Sequence, residues 1–215
     1  MEAKLFARVW LNVLLPHRLL RYRRLLSLSH QKLHMGCGSQ IFDGWINADM
    51  NPKGDFTLDL REGLPFRDES LWLVYSEHTL EHFYREHDAP FLLKECFRCL
   101  EPGGRIRITI PDGEAFIRFY CDQIDDETKT DLRQGHSRFF GTDMDIVNSG
   151  FRWKHQHFYM YDEETFRKLL EEIGHVQIQR YNFRESAVPE LEQLDSPRRR
   201  IATLYMEGSK PAAAT

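Results

Sequence analysis

Residues 33–49 read LHMGCGSQIFDGWINAD, two short apolar runs of which the first is ended by a Gly-x-Gly turn and the second by an aspartate. A Gly-x-Gly turn lets the backbone approach a ligand closely at the carboxyl end of a strand. Asp49 closes the second run, where a carboxylate can accept hydrogen bonds from both hydroxyls of a ribose. The stretch therefore favours a nucleoside site on an α/β sheet, although both features also occur as plain turns.

Short apolar runs bounded by Gly, Pro, Asp or Ser recur from Lys32 onward. The runs that predict strands are KLHM, WINAD, DFTLDL, LWLVYS and GRIRITI, ending at Gly36, Asp49, Leu60, Ser76 and Pro111. Before the last of these, residues 89–104 carry apolar side chains at helical spacing, with Pro90 in the first turn and Gly103-Gly104 as a stop. Strands alternating with helices predict parallel pairing through right-handed crossovers.

The alternation changes after residue 160. Residues 162–174 predict a helix that begins with an Asp162 cap and ends at Gly174. The strand candidates HVQIQRYNF and RIATLYMEG follow, with no helical pattern between them. They predict an antiparallel pair at one edge of the sheet, and the terminal SKPAAAT predicts a frayed end.

Four stretches resemble, in order, the successive motifs of class I S-adenosylmethionine-dependent methyltransferases. They are LHMGCGS, INADM, LDLREGLPFRDESLWLVYSEHTLEHF and LKECFRCLEPGGRIRITIPD, and the likeness runs from Lys32 to Lys210. It is greatest to small stand-alone members with a Gly-Cys-Gly turn followed by Gly-Trp-x-Asn-x-Asp. The resemblance implies a doubly wound, Rossmann-like, seven-stranded and mostly parallel sheet with a C-terminal antiparallel hairpin. It places the catalytic domain at residues 31–210, with an acceptor-pocket insertion at 112–160 and a tail at 211–215.

The resemblance also implies a cofactor site for S-adenosylmethionine. Its residues would be Gly36, Cys37 and Gly38 at the methionine part, Asp49 and Met50 at the ribose, Asp59 and Leu60 at the adenine, and Glu77 and His78 towards the acceptor. One departure is the spacing: only thirteen positions separate Gly36 from Asp49, so the first crossover helix must be very short or replaced by a loop.

Other functions stay open beside an S-adenosylmethionine-dependent methyltransferase. A dinucleotide fingerprint requires a third glycine where Ile41 stands, which disfavours a nicotinamide oxidoreductase. A phosphate-binding P-loop requires a Gly-Lys-Ser/Thr ending, and none follows the turn. A non-catalytic binding protein that keeps the methyltransferase fold is the alternative.

Methyl transfer to a hydroxyl or an amine requires a base, and histidine has the most suitable pKa. The candidates are His78, His82, His155 and His157. We favour His155 and His157, because an extended segment there would point both side chains to one face. One of them could instead hold the last helix by hydrogen bonding, and His82 in LEHF is typical of a structural turn.

The acceptor is predicted to be a small molecule or a glycan-like compound. Several side chains after Asp112 could clamp an anionic acceptor, although a solvated face is the commoner arrangement. They are Arg118, Arg133, His136, Arg138, Arg152 and Lys154. We predict no metal site, because Cys96 and Cys99 lie in a helix without a second ligand pair, and residues 122–131 lack the glycine of a calcium loop.

Composition limits the remaining classes. A chain of 215 residues with 41% hydrophobic residues is long enough for one domain, and a net charge of −4 gives no general field for nucleic acid. Four cysteines in no disulfide pattern favour a cytoplasmic protein.

Residues 1–30 are predicted to form a basic amphipathic helical segment. It would either cap the active site or make peripheral membrane contact through residues 1–28. The oligomeric state stays open.

Overall fold

The computed structural model describes residues 23–136 and 141–213. The strands in this part are β1 (Gln31–Met35), β2 (Ile46–Asp49), β3 (Phe56–Thr57), β4 (Leu71–Glu77), β5 (Leu100–Pro111), β6 (Val176–Tyr181) and β7 (Thr203–Ser209). The helices are α1 (Asp88–Cys99), α2 (Gly113–Tyr120), α3 (Asp126–His136), α4 (Asp143–Arg152) and α5 (Glu163–Ile173).

The predicted basic N-terminal segment lies mostly outside the described residues, which include only its end. Residues 23–27 are helical, with Leu25 and Leu26 packed against the core and Arg23 and Arg24 exposed. Within the described ranges, no helix has both the length and the apolar character needed to cross a bilayer.

One seven-stranded sheet organises the fold, in the order β3-β2-β1-β4-β5-β7-β6. The first five strands pair in parallel, whereas β7 runs antiparallel to both β5 and β6. This confirms the predicted mostly parallel sheet with an antiparallel C-terminal pair. Because β1, β2 and β4 are parallel, their carboxyl ends meet at the same edge of the sheet.

The central strands and two helices form the main core. Leu33 of β1 and Val74 of β4 are fully buried, as are Leu93 of α1 and Phe166 of α5. Burying one such side chain contributes about 1.5–3 kcal/mol to the stability of the fold. A strand that is buried on both faces of a parallel sheet carries a run of apolar residues and does not alternate between apolar and polar ones.

The bounds of α5 follow the predicted signals. The carboxylate of Asp162 accepts a hydrogen bond from the backbone N–H of Thr165 at 2.8 Å, and Gly174 ends the helix in the left-handed region with φ +112°. Both bounds are therefore confirmed.

The connection between β1 and β2 is a loop without a helix, which is one of the two outcomes that its length allowed. Asn47 holds this loop together: its side-chain amide donates to the carbonyls of Phe42 and Trp45 at 3.0 and 3.1 Å, and its Oδ1 accepts from the Phe42 N–H at 2.9 Å. Asp55 in turn accepts hydrogen bonds from the backbone and side-chain N–H groups of Asn47. One buried side chain thus supplies partners that a helix would have found within its own backbone.

The face of the sheet beside this loop is covered by a second apolar cluster. Leu73 and Tyr75 of β4 pack against Trp45 of the loop and against Leu191. Leu191 lies in the long connection between β6 and β7, at residues 182–202. That connection therefore packs on the sheet next to the short β1–β2 loop.

Two of the predicted element ends are wrong for reasons that the structure shows. The third strand was expected to reach Leu60, but β3 ends at Thr57, and Asp59 caps a 3₁₀ turn by accepting a hydrogen bond from the Arg61 N–H at 3.0 Å. The helix expected to end at Gly103-Gly104 ends at Cys99, because Leu100 already pairs with Leu71 in the sheet. The first boundary is set by a side-chain hydrogen bond and the second by pairing with a strand that is distant in sequence. The spacing of apolar residues along the chain indicates neither of them.

Candidate functional site

A cavity of about 620 Å³ lies at the carboxyl ends of β1, β2 and β4, and we call it the strand-end cavity. It is lined by six of the nine residues predicted to bind the cofactor: Gly36, Asp49, Met50, Asp59, Leu60 and His78. Its volume falls in the range of small-molecule and cofactor sites. The structure therefore brings these six residues together at one cavity, and their binding roles stay predictions.

The Gly-Cys-Gly turn brings the backbone close to the end of β4. Gly36 has φ +65°, and a Cβ atom there would lie 2.0 Å from Oγ1 of Thr79. Gly38 also has a positive φ, +54°, but a Cβ atom there would meet nothing within 4 Å. Cys37 between them is buried and does not line the cavity. The first glycine is thus required by packing, whereas the second leaves open space beside Asp49.

We expect Gly36→Ala to lower the free energy of unfolding by at least about 2 kcal/mol, because it adds a steric clash to the strain of a left-handed alanine. Gly38→Ala is the matched control, since it carries similar backbone strain without the clash, and it should cost about 1 kcal/mol. Urea unfolding of both variants measures the difference. Equal losses would show that contact with Thr79 does not select the first glycine.

Asp49 is the acidic group of the strand-end cavity. Its Oδ2 accepts a hydrogen bond from the Gly38 N–H at 2.8 Å, and its Oδ1 accepts one from the Asn51 N–H at 2.6 Å. Each oxygen keeps a further acceptor position, which a ribose hydroxyl could use. The two backbone donors also fix the orientation of the carboxylate before any ligand arrives.

Asp59 lines the same cavity but already has a charged partner. Arg61 donates to its two oxygens at 3.0 and 2.7 Å, and these hydrogen bonds lower the pKa of the Asp59 carboxyl. Asp59 is therefore ionised near neutral pH, while the predicted adenine contact of Asp59 and Leu60 stays a prediction.

Glu77 does not lie where the sequence placed it. It is the last residue of β4, and its Oε1 accepts a hydrogen bond from the Ser196 N–H at 2.8 Å, away from the cavity. Burial raises the pKa of this carboxyl. The reason is strand alternation, which sends Glu77 to the same side as Tyr75 and leaves the next residue, His78, to line the cavity.

A second cavity of about 470 Å³ adjoins the first, and we call it the side cavity. It lies among α2, α3, α4 and the β6–β7 connection, and it shares His78, His82 and Gln156 with the strand-end cavity. Apolar and charged groups both line it, including Phe116, Leu132, Ile201, Asp131, Arg198 and Arg199. The two spaces therefore meet at a common wall of polar side chains.

The two histidines predicted as bases have different surroundings. His157 lines the side cavity, and its Nδ1 donates to the carbonyl of Gly150 at 2.6 Å. His155 is exposed, lines neither cavity, and has its Nδ1 3.2 Å from the Arg152 guanidinium. The prediction of one shared face was wrong, because residues 153–155 form a 3₁₀ turn in which Lys154 and His155 have positive φ.

The cations proposed as an anion clamp lie on the surface where they are described. Arg118, Arg133, Arg152 and Lys154 are exposed, and Arg133 pairs with Asp143 at 2.6 Å. The side chain of His136 and all of Arg138 lie outside the described residues. The cations that line the side cavity are Arg198 and Arg199, which the sequence analysis missed. Their only local signal is the run PRRR in a connection without helical or strand periodicity.

Comparisons with known proteins agree with this architecture. Residues 46–108 match a family model described as a methyltransferase domain. None of the curated proteins compared matches the chain. A solved structure of a possible exported protein from Bordetella parapertussis has 13% identity and a TM-score of 0.53, over 91% of this chain and 67% of that one. A possible histamine N-methyltransferase from Thermotoga maritima, described as S-adenosylmethionine-dependent, has 18% identity and a TM-score of 0.50, over 90% and 87%.

These likenesses show a Rossmann-like methyltransferase fold. Together with the domain match, they support S-adenosylmethionine as the cofactor and methyl transfer as the general reaction. They do not identify the acceptor.

Proposed function

We propose that this protein is an S-adenosylmethionine-dependent methyltransferase that acts on a small-molecule or glycan-like acceptor. The observation that carries the proposal is that the two cavities adjoin at His78, His82 and Gln156, which line both of them. A donor in the strand-end cavity would present its methyl group to an acceptor in the side cavity. Holding the two reactants in line supplies a large part of the rate in such a displacement.

The strand-end cavity suits an adenosyl compound. The carboxylate of Asp49 can accept hydrogen bonds from ribose hydroxyls, and the apolar side chains of Met50, Leu58 and Phe83 offer surface to a purine. When bound, S-adenosylmethionine supplies a methyl group on a sulfonium, and the methyl–sulfur bond breaks as the bond to the acceptor atom forms.

A protonated acceptor must also lose a proton. Burial lowers the pKa of His157, so this side chain is neutral near pH 7 and can accept one. Of the two predicted bases, His157 borders the side cavity and His155 does not. His157 is therefore the better placed of the two.

The residues that line the side cavity suggest which class of acceptor it could bind. Phe116, Leu132 and Ile201 provide apolar contact, while Arg198 and Arg199 bring positive charge. This mixture favours a compound with an apolar part and a polar or anionic group.

Calorimetric titration with S-adenosylmethionine, S-adenosylhomocysteine and NAD tests the cofactor assignment. We expect saturable binding of the two adenosyl compounds and none of NAD. Release of S-adenosylhomocysteine with a panel of amines, phenols and sugars then tests turnover. Cofactor binding without turnover on any of them would favour the non-catalytic alternative, and NAD binding alone would contradict the proposal.

A further inference from the structure

Glu81 is a buried acidic residue that lines the side cavity, next to His82 of the wall shared by the two cavities. It lies in the 3₁₀ turn Leu80–His82 and is 1% exposed. Neither of its side-chain oxygens accepts a hydrogen bond from the described residues. A buried carboxylate without such partners is costly, so a group that can balance it is expected at this position.

Three imidazole rings surround this carboxylate. Nδ1 of His78 lies 3.4 Å from Oε1 of Glu81, and Nε2 of His157 lies 3.9 Å from the same atom. Ligand atoms of Glu81, His82 and His157 all lie within 4.8 Å of one another. No other described part of the chain brings histidine, cysteine and acidic ligand atoms together in this way.

The hydrogen bonds of the rings determine where their lone pairs point. Nδ1 of His82 is 2.9 Å from the carbonyl of Gln156, and Nδ1 of His157 is 2.6 Å from the carbonyl of Gly150. A carbonyl only accepts, so each Nδ1 carries the hydrogen, and in the neutral ring Nε2 keeps the lone pair. Histidines that bind metal ions are held by this kind of second hydrogen bond.

In His78 the roles of the two ring nitrogens are exchanged: Nε2 carries the hydrogen and Nδ1 keeps the lone pair. Its Nε2 is 3.0 Å from the hydroxyl oxygen of Thr203, and that hydroxyl donates to the carbonyl of Arg199. The Thr203 oxygen therefore accepts from Nε2–H of His78, which leaves the Nδ1 lone pair facing Glu81. The neutral rings therefore offer three nitrogen lone pairs beside the Glu81 carboxyl group, whose pKa is raised by burial.

The backbone holds the cluster in place. The carbonyl of Glu81 accepts hydrogen bonds from the N–H groups of Phe158 and Tyr159 at 2.8 and 3.4 Å. The segment that carries His157 is thereby fastened to the turn that carries Glu81 and His82. Ligands supported in this way are positioned before an ion arrives.

We propose that Glu81, His82 and His157 bind a divalent transition-metal ion, with His78 available as a fourth ligand. Two imidazoles and one carboxylate suit Zn²⁺, Mn²⁺ or Co²⁺, whereas Mg²⁺ and Ca²⁺ prefer ligand sets made of oxygen. A tetrahedral ion with ligands about 2.1 Å away holds its donor atoms about 3.4 Å apart. The ligand atoms lie within 4.8 Å of one another, so they would have to approach by up to about 1.4 Å, through rotation of the rings, to close onto an ion.

The role of this ion in catalysis rests on the proposed function. In the side cavity it would hold an acceptor oxygen beside the methyl donor and lower the pKa of an acceptor hydroxyl. Because Nε2 of His157 would then be bound to the ion, the hydroxyl proton would pass to solvent water and not to His157. The metal would not change its oxidation state. No metal site was predicted from the sequence: the candidates weighed were Cys96 with Cys99 and residues 122–131, and His82 in LEHF is typical of a structural turn.

Metal titration of the full chain, without a polyhistidine tag and stripped with a chelator, tests the site in the absence of S-adenosylmethionine. We expect Zn²⁺ to bind with one-to-one stoichiometry by calorimetry, Co²⁺ to give visible absorption bands, and Mg²⁺ to bind far more weakly. His157→Ala and His82→Ala should each weaken Zn²⁺ binding at least about 100-fold. His155→Ala is the matched control, since it removes an exposed imidazole outside both cavities, and it should bind like the wild type.

Circular dichroism of each variant separates a lost ligand from a lost fold. Glu81→Gln, which keeps the size of the side chain, should lose Zn²⁺ binding while the protein stays folded. Absence of saturable Zn²⁺, Co²⁺ and Mn²⁺ binding by folded wild type, or equal binding by wild type and His157→Ala, would overturn the site. S-adenosylmethionine binding without metal binding would remove this inference alone, whereas metal binding without S-adenosylmethionine binding would confirm the site and contradict the proposed function.

Discussion

Replacing Asp49 with asparagine is expected to weaken the binding of S-adenosylmethionine and S-adenosylhomocysteine at least about 100-fold. Hydrogen bonds to a charged group contribute about 1.5–3 kcal/mol each, and a ribose would lose the charge from two of them. About 1.4 kcal/mol corresponds to a factor of ten in the dissociation constant. Asparagine keeps the size of the side chain and one of its acceptors for the N–H groups of Gly38 and Asn51.

Asp43→Asn is the matched control for this measurement. Asp43 lies in the same β1–β2 loop but is exposed and does not line the strand-end cavity. We expect it to leave both dissociation constants unchanged in calorimetry. If Asp49→Asn, folded by circular dichroism, bound as tightly as the wild type, Asp49 would not be the ribose ligand.

Replacing Arg107 with methionine is expected to lower the free energy of unfolding by about 3–5 kcal/mol. Arg107 lies on β5 with its side chain fully buried, where it donates to Asp195 at 2.5 and 3.0 Å and to Glu207 at 2.7 Å. Removing the guanidinium leaves two buried carboxylates without their main counter-charge. Urea unfolding followed by circular dichroism measures the loss.

Arg118→Met provides the comparison, since Arg118 is exposed and only meets Glu114 at 3.5 Å. Its stability should stay close to that of the wild type. A loss below about 1 kcal/mol for Arg107→Met would mean that Asp195 and Glu207 find other partners or become protonated. Arg107 also donates to the carbonyl of Glu185, so its removal should loosen the β6–β7 connection.

The sequence predicted elements whose signals are local. Strands buried on both faces, such as β1 and β4, appear as apolar runs between chain-breaking residues. The limits of α5 follow from the capping chemistry of Asp162 and Gly174. The end of β3 depends on the side-chain cap of Asp59, and the end of α1 depends on the pairing of Leu100 with Leu71. Neither is part of a periodic apolar pattern.

The site shows the same division. Gly36 and Asp49 line the cavity as the sequence suggested, because a glycine turn and an acid at the end of a strand can be recognised from a few residues. His155 was misplaced because the positive φ of Lys154 reverses the chain where alternation was assumed. Glu81 was missed because a glutamate in a short turn is normally exposed, and here its burial depends on residues beyond position 150 that pack over it.

The β6–β7 connection links stability to acceptor choice. Through Leu191 it shields the sheet beside a crossover that lacks a helix, and a few residues later it places Arg198 and Arg199 in the side cavity. Changes there that alter the acceptor would therefore also disturb the cover of the sheet. Directed evolution of a new specificity should advance faster through α2 and α4, whose residues line the same cavity without covering β4, than through this connection.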